Sequence, residues 1–519
     1  MRLGSVITGI LTGVIALSCL YAADAAPVKK PAVGTTQPKK NQKIPVRKTL
    51  VKRLSNSSKE PGMDSTDVQF QPFLDWSNVQ AGRIDFVEQD GHKVPRRSFV
   101  PSGIKIVPQT AELSEAWFKS EKAWEADRIN GYSTVIFENG KYRLWYESLG
   151  DNYPKNGSFE YGYAESTDGI NWIRPNLGLI DYNGSKENNI SYHHAPGTES
   201  GTVFVDPTAP PAERYKRLFI VPESGHYNTR GAVSADGINW KDLPEPILMD
   251  YFSDTQVTAY YDEIIQSYVG YFRGHKYGRR SIARAVTKDF NHWPRPEVVL
   301  YPGINESPGC DFYTNAHVLY PGKKNLHLLF PAQYNRDSDI VDIHIATSTD
   351  GINWEYFSSK PVVSIKGTPY HTLYCGDGVV PLGNDTYGVP CCGFKATHND
   401  YTPLQHEGEY FWAMWKRDRF VGIEAEGAGY FATDSFTHGA SALHVNVETE
   451  YAGMVKVQLS DGSAAFPGYS FADCDPIMGD NIDKVVSWKG NTDITATRGK
   501  SVVIEFSMQQ AKVFAYGLK

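Results

Sequence analysis

From about residue 130 to 415 the chain alternates short apolar runs with turn residues, which is the pattern of β-strands joined by tight turns. Strand-like runs fall at 132–137, 142–147 and 159–165, at 257–261, 268–272 and 281–285, and at 312–319, 326–330 and 342–347. Each trio is followed by one recurring turn. Its full copies are Ser166-Thr167-Asp168-Gly169-Ile170-Asn171-Trp172, Ser234-Ala235-Asp236-Gly237-Ile238-Asn239-Trp240 and Ser348-Thr349-Asp350-Gly351-Ile352-Asn353-Trp354, with a degenerate copy from Thr287 through Asp289 to Trp293. Successive Asp residues are 68, 53 and 61 positions apart, so the turn marks a structural repeat with insertions.

The turn reads as a hairpin clasp. Its Asp accepts backbone N–H groups, its Gly supplies a positive φ, and its Trp packs between sheets. Because the same carboxylate recurs in every copy, its role is structural. Three strands, a clasp and a fourth strand make one antiparallel blade. A fifth set begins at Gly378 and runs through 410–415 without a clasp. Its missing strand is expected from the segment 84–107, which would close the ring by pairing the two ends of the domain. The expected fold is therefore all-β: a five-bladed β-propeller over 66–418. Beyond it, alternating runs such as 443–447, 455–459, 502–506 and 513–516 predict a smaller β-sandwich over 419–519.

Strand direction sorts the loops by face. If the inner strand of each blade runs down from the pocket, the clasps and the short first turns, such as Glu138-Asn139-Gly140, lie at the bottom. The top receives the loops between second and third strands and the approaches to each inner strand. Those loops carry Glu147, Glu223, His226, Arg273, His275, Gln333, Arg336, Asp337, Lys395 and His398, and the inner-strand starts carry Glu125, Asp127, Glu199, Asp254, Glu306, Asp311 and Asp377. Acids from several blades would thus converge on one axial pocket.

The first 26 residues read as a secretory signal: Arg2, an apolar stretch from Ile7 to Leu20, and small residues at Ala23 and Ala25, with cleavage expected near Ala26. Residues 27–65 read as a disordered linker, with ten Lys or Arg against one acid between Pro27 and Glu60. Residues 1–60 sum to +9, which leaves about −16 on the rest and argues against nucleic acid as a partner. After the leader, no run is long enough to span a membrane. The remaining cysteines, Cys310, Cys375, Cys391, Cys392 and Cys474, form no zinc spacing. No ligand spacing identifies a metal at His193, His194 or His275, and no cofactor is expected. The 13% aromatic content suits many short strands or a sugar-stacking surface.

Over roughly residues 70–415 the chain resembles the superfamily of five-bladed propeller glycosidases that includes invertase-type β-fructosidases, arabinanases and xylosidases. The C-terminal part is similar to the sandwich that follows the propeller in invertase-type enzymes. The run Trp124-Glu125-Ala126-Asp127-Arg128-Ile129-Asn130-Gly131 resembles a loosened W-x-N-D-P-N-G signature. The resemblance implies Asp127 as nucleophile or base, Asp254 as the transition-state-stabilising carboxylate and Glu306 as the acid, with Asp311 competing for that last role. Two motifs depart from the family: Arg-Asp-Pro is Ser253-Asp254-Thr255 here, and Glu-Cys is spread over Glu306 to Cys310. Trp124, Glu125, Arg273, His275, Asp377 and His398 are the candidate sugar contacts. Glycoside cleavage needs one protonated and one ionised carboxyl on opposite sides of the bond. An exo-acting hydrolase is the leading expectation, beside a mannoside phosphorylase-like enzyme and a non-catalytic glycan-binding propeller.

Overall fold

The clasp residues dictate their own geometry. In the computed structural model, Asp168 Oδ1 accepts the N–H groups of Ile170 and Asn171 at 2.8 and 2.7 Å, while Oδ2 accepts from Asn171 Nδ2 at 2.7 Å. Asp236 and Asp350 repeat all three bonds. Gly169, Gly237 and Gly351 turn the chain at φ of 73°, 76° and 67°, a region that side-chain-bearing residues avoid. Each clasp also ties its blade to the preceding one. The carbonyls of Gly169, Gly237 and Gly351 accept from Trp412 Nε1, Trp145 Nε1 and the Tyr271 hydroxyl at 2.8, 2.6 and 2.8 Å.

The structure describes residues 68–150, 159–193, 199–223, 225–400 and 406–519, all within one compact unit. The expected leader at 1–26, the linker at 27–65 and His194 lie outside the described residues. Five antiparallel blades follow. Blade I is Arg128–Glu138, Lys141–Leu149, Glu160–Ser166 and Trp172–Ile173. Blade II is Glu199–Val205, Tyr215–Glu223, His226–Ser234 and Lys241–Asp242. Blade III is Thr258–Asp262, Ser267–Lys276, Arg279–Thr287 and Glu297–Leu300. In blade IV the strands break in the middle: Cys310–Phe312 continues as Val318–Leu319, Ala332–Asn335 follows His327–Leu329, Ile340–Ile343 precedes Ala346–Ser348, and Glu355–Tyr356 is outermost. Blade V holds Thr372–Cys375 with Val380–Pro381, then Thr386–Phe394 and Glu409–Lys416.

The ring closes differently from the sequence expectation. The outer strand of blade V is Glu112–Leu113 with Phe118–Lys119, pairing with Ala413 and Tyr410, and not the segment 84–107. Part of that segment, Arg83–Gln89 and His92–Ser98, forms a separate two-stranded hairpin. Lys105–Pro108 joins the C-terminal sheet against Val421–Glu424, and Gln69–Pro72 pairs with Ala515–Leu518. The propeller therefore starts near residue 112, and the strands at 69–72 and 105–108 belong to the C-terminal sheet. That sheet is antiparallel and six-stranded, with Leu443–Ser460 and Val503–Leu518 as its long members. Register shifts at Asn446/Val447 and Thr449/Met454 bend the long pair. Val445, Val447, Val455, Val457, Ile504, Phe506 and Val513 from both halves thereby reach one core.

Polar side chains stitch the blades together at the axis. Thr134 Oγ1 accepts from Val203 N, Thr258 Oγ1 donates to Asn315 Oδ1 at 2.8 Å, and Gln256 Nε2 reaches Cys375 O at 3.1 Å. Blade V returns to blade I through Asp377 N to Ser133 O and Val135 N to Asp377 O, at 2.7 and 2.8 Å. Gly378 permits this approach, because a Cβ there would lie 2.2 Å from Val135 O. Cys375 and Cys391, cross-strand partners in blade V, form a disulfide, and Cys310, Cys392 and Cys474 are buried thiols.

Candidate functional site

On the face away from the clasps a cavity of about 150 Å³ opens between blades I, IV and V. Arg128, Asn130 and Tyr132 line it from blade I, Tyr313 from blade IV, and Thr372, Tyr374, Phe394, His398 and Glu407 from blade V. Asn130 is fixed from both ends: its amide donates to buried Glu147 at 2.9 Å and its Oδ1 accepts from Gly131 N at 2.8 Å. The Tyr374 hydroxyl and His398 Nδ1 share a 2.7 Å hydrogen bond, and the Tyr313 ring meets the imidazole edge-on at 4.4 Å. Burial, and after it the positive charge of Arg280, lowers His398 to about 4, so its ring is neutral near pH 7.

Two sequence-predicted carboxylates, Asp127 and Asp254, lie outside the cavity lining and connect to it through arginines. Asp127 is paired with Arg128 Nε at 2.8 Å, and its backbone carbonyl accepts from Glu407 N. Asp254 accepts from Arg273 Nη1 at 3.2 Å. The fully buried Arg273 guanidinium lies 4.4 Å over the Tyr313 ring. His275 is exposed at the rim, where burial and the charges of Arg273 and Arg280 hold its imidazole below the ordinary value.

Four other candidates are used elsewhere, and a fifth, Asp377, is buried outside the cavity lining with its Oδ1 unpartnered among the described residues. Glu125 is fully buried and accepts from Glu121 N, Lys122 N, the Tyr146 hydroxyl and Arg174, so its carboxylate anchors the turn before blade I and is not a sugar contact. Trp124 donates to Asn189 at 3.0 Å and packs on Tyr182, outside the cavity lining. Asp311 is fully buried and accepts from Arg280 N and Nη1, both at 2.8 Å, and from Arg336 Nε and Nη2 at 2.9 and 2.7 Å. Burial pulls its pKa upward, but the Arg336 and Arg280 hydrogen bonds outweigh it and hold the carboxyl below its ordinary value. An acid so held is ionised and cannot protonate a leaving group near neutral pH. Glu306 accepts Gly303 N at 2.6 Å, and its charge acts on Cys310 and Tyr356 in the packing of blades III and IV. Asp377 sits on the axis among the inner strands, nine-tenths buried, where desolvation raises its carboxyl well above the ordinary range.

Sequence reasoning missed Glu407. Its carboxylate accepts Lys395 N at 3.1 Å and makes no ion pair with a described residue. It stands in the loop before the third strand of blade V, bridged to Arg128 at the start of blade I but about 280 positions from it in sequence, so the strand-direction rule does not single it out.

No protein-family description and no curated protein sequence matches the chain. Among solved structures, an N-acetylgalactosamine deacetylase from F. plautii in complex with blood group B trisaccharide is 14% identical, over 62% of this chain and 97% of that one, with a TM-score of 0.41. A glycosyl hydrolase from Bacteroides ovatus is 13% identical over 59% of this chain and 94% of its own, with a TM-score of 0.42. A fructofuranosidase from Schwanniomyces occidentalis complexed with fructosylnystose is 10% identical over 79% and 96%, with a TM-score of 0.37.

Proposed function

We propose that this protein is an exported glycoside hydrolase that takes the terminal ring of a glycan into the axial cavity and cleaves its glycosidic bond. The observation that carries this reading is the cavity itself. A void of about 150 Å³ is the size that holds a single six-membered ring. Its lining combines Tyr132, Tyr313 and Tyr374 with the carboxyl-bearing residues Asp400 and Glu407. A small pocket suits a chain end better than a chain interior.

In this reading Asp127 is the base or nucleophile, oriented by Arg128. Asp254, held by Arg273, receives sugar hydroxyls and steadies the developing oxocarbenium charge. Glu407 replaces Glu306 and Asp311 as the acid, because it lines the cavity and is committed to no described cation. The experiment is a screen of neutral and acidic glycans for released reducing sugar, followed by Glu407→Gln and Asp127→Asn. Each variant should lose turnover by orders of magnitude while keeping sugar binding and melting temperature. Wild-type-like turnover in both variants would refute the assignment.

A second reading has a specific observation behind it: Asp127 and Asp254 are each neutralised by an arginine. In a propeller that binds glycans without cutting them, such arginine-paired carboxylates would serve as anchors and hydrogen-bond acceptors only. Glycan binding with no product from any substrate selects that reading.

A further inference from the structure

The cavity accounts for one ring, and the rim beside it carries side chains that this use does not absorb. Across the tops of blades II and III three rings run in sequence: Tyr227 meets Phe252 edge-on at 4.7 Å, and Phe252 stacks on His275 at 6.2 Å. Tyr227 and Phe252 are 37% and 46% exposed, so the strip presents aromatic surface to water. Such a surface suits a sugar ring, whose faces are C–H and whose edges are hydroxyl.

His275 lies directly across the strand pair from Arg280, which continues the strip into a cluster of guanidinium groups. Arg273, Arg280 and Arg336 form ion pairs with only two carboxylates, Asp254 and Asp311, while Asp339 nearby is bonded to Tyr334 and Asn399. The three guanidinium groups gather here although the balance of the chain after residue 60 is acidic. Arg280 spends Nη1 on Asp311, and its Nε and Nη2 make no hydrogen bond with a described residue. Its guanidinium stands 5.0 Å over Tyr313, the wall of the cavity, and is partly exposed. Burial is the first cause of the lowered pKa of His275 and of His398, and the charges of Arg273 and Arg280 add to it against nearby carboxylates.

We propose that this rim is a second subsite for a sugar residue bearing a carboxylate or sulfate, with the ring on Phe252 and the anion on Arg280 and Arg336. It rests on the reading of the cavity as a sugar site and extends that reading to acidic glycans. Arginine suits the task because its planar fork matches a carboxylate or sulfate with paired hydrogen bonds.

Calorimetric titration of the whole protein with an oligogalacturonate, a sulfated galacto-oligosaccharide and a neutral galacto-oligosaccharide of equal length tests it. At low salt an anionic oligomer should bind roughly ten- to a hundredfold more tightly than the neutral one, and high salt should shrink that ratio. The better of the two anionic arms identifies the substituent. Arg280→Gln should collapse the anionic-to-neutral ratio, and Phe252→Ala should weaken oligomers more than single sugars. Arg280→Gln also strips a donor from buried Asp311, so melting curves accompany it, and the wild-type salt dependence needs no variant. Equal wild-type affinity for anionic and neutral oligomers at low salt would overturn the proposal. Cleavage of neutral glycans without an anionic preference removes this subsite and leaves the hydrolase. Arg280-dependent binding of anionic glycans without cleavage keeps the subsite and removes the hydrolase. Binding of neither class removes both.

Discussion

Replacing Asp311 by Asn separates an anchor from an acid. The carboxylate is fully buried and receives four hydrogen bonds, two from Arg280 and two from Arg336. Asn keeps the shape, loses the charge and turns an NH₂ group toward guanidinium donors. Breaking a buried charge pair in this way costs about 3–5 kcal/mol. With an unfolding entropy of about 2.1 cal/mol/K per residue over roughly 450 residues, that cost lowers the melting temperature by about 3–5 °C. The pH dependence supplies the sign. Because the folded carboxyl lies below its ordinary value, its contribution is present above the unfolded value and is lost as pH falls through the folded one. Melting curves followed by circular dichroism from pH 7 down to about 3 should therefore show the wild-type and Asp311→Asn traces converging in acid. A variant that melts like the wild type at pH 7 yet has no turnover would refute this account and return Asp311 to the chemistry.

Asp236→Ala removes the clasp bonds to Ile238 and Asn239 and should cost about 1–3 kcal/mol, seen as a lower melting temperature with activity per folded molecule unchanged. The His398 imidazole should titrate near 4 by NMR and stay neutral at pH 6, since burial opposes its charged form. Exchanging Cys375 and Cys391 together for Ser opens a disulfide across 16 positions and should cost about 3 kcal/mol; a wild-type melting curve would mean the bridge contributes nothing. Deleting the chain through Lys119 removes the outer strand of blade V, and the remainder should give no cooperative melt. Intact-mass analysis of protein recovered from the periplasm or medium should find a chain beginning near Ala26, and retention of Met1 would refute the proposed export with processing.

What the sequence determined by itself is local. A clasp needs only Ser, Asp, Gly, Asn and Trp within seven positions, because its hydrogen bonds span two or three residues, and so its repeat disclosed the blades. The alternation of turns then set the direction of every strand and thus the face on which the inner strands start. Tertiary structure decided what depends on distant partners. Glu112–Leu113 and Phe118–Lys119 rather than 84–107 close the ring, because their partners lie about three hundred positions away in blade V, and no local pattern distinguishes two short candidates for one edge. Asp254 and Asp311 begin inner strands alike, yet one meets a single arginine at a partly exposed rim and the other is buried beneath two. Glu407 reaches the cavity from a loop, where sequence periodicity says nothing about direction. A side chain's charge state is set by the groups packed around it, and in a propeller those groups come from neighbouring blades tens to hundreds of residues apart.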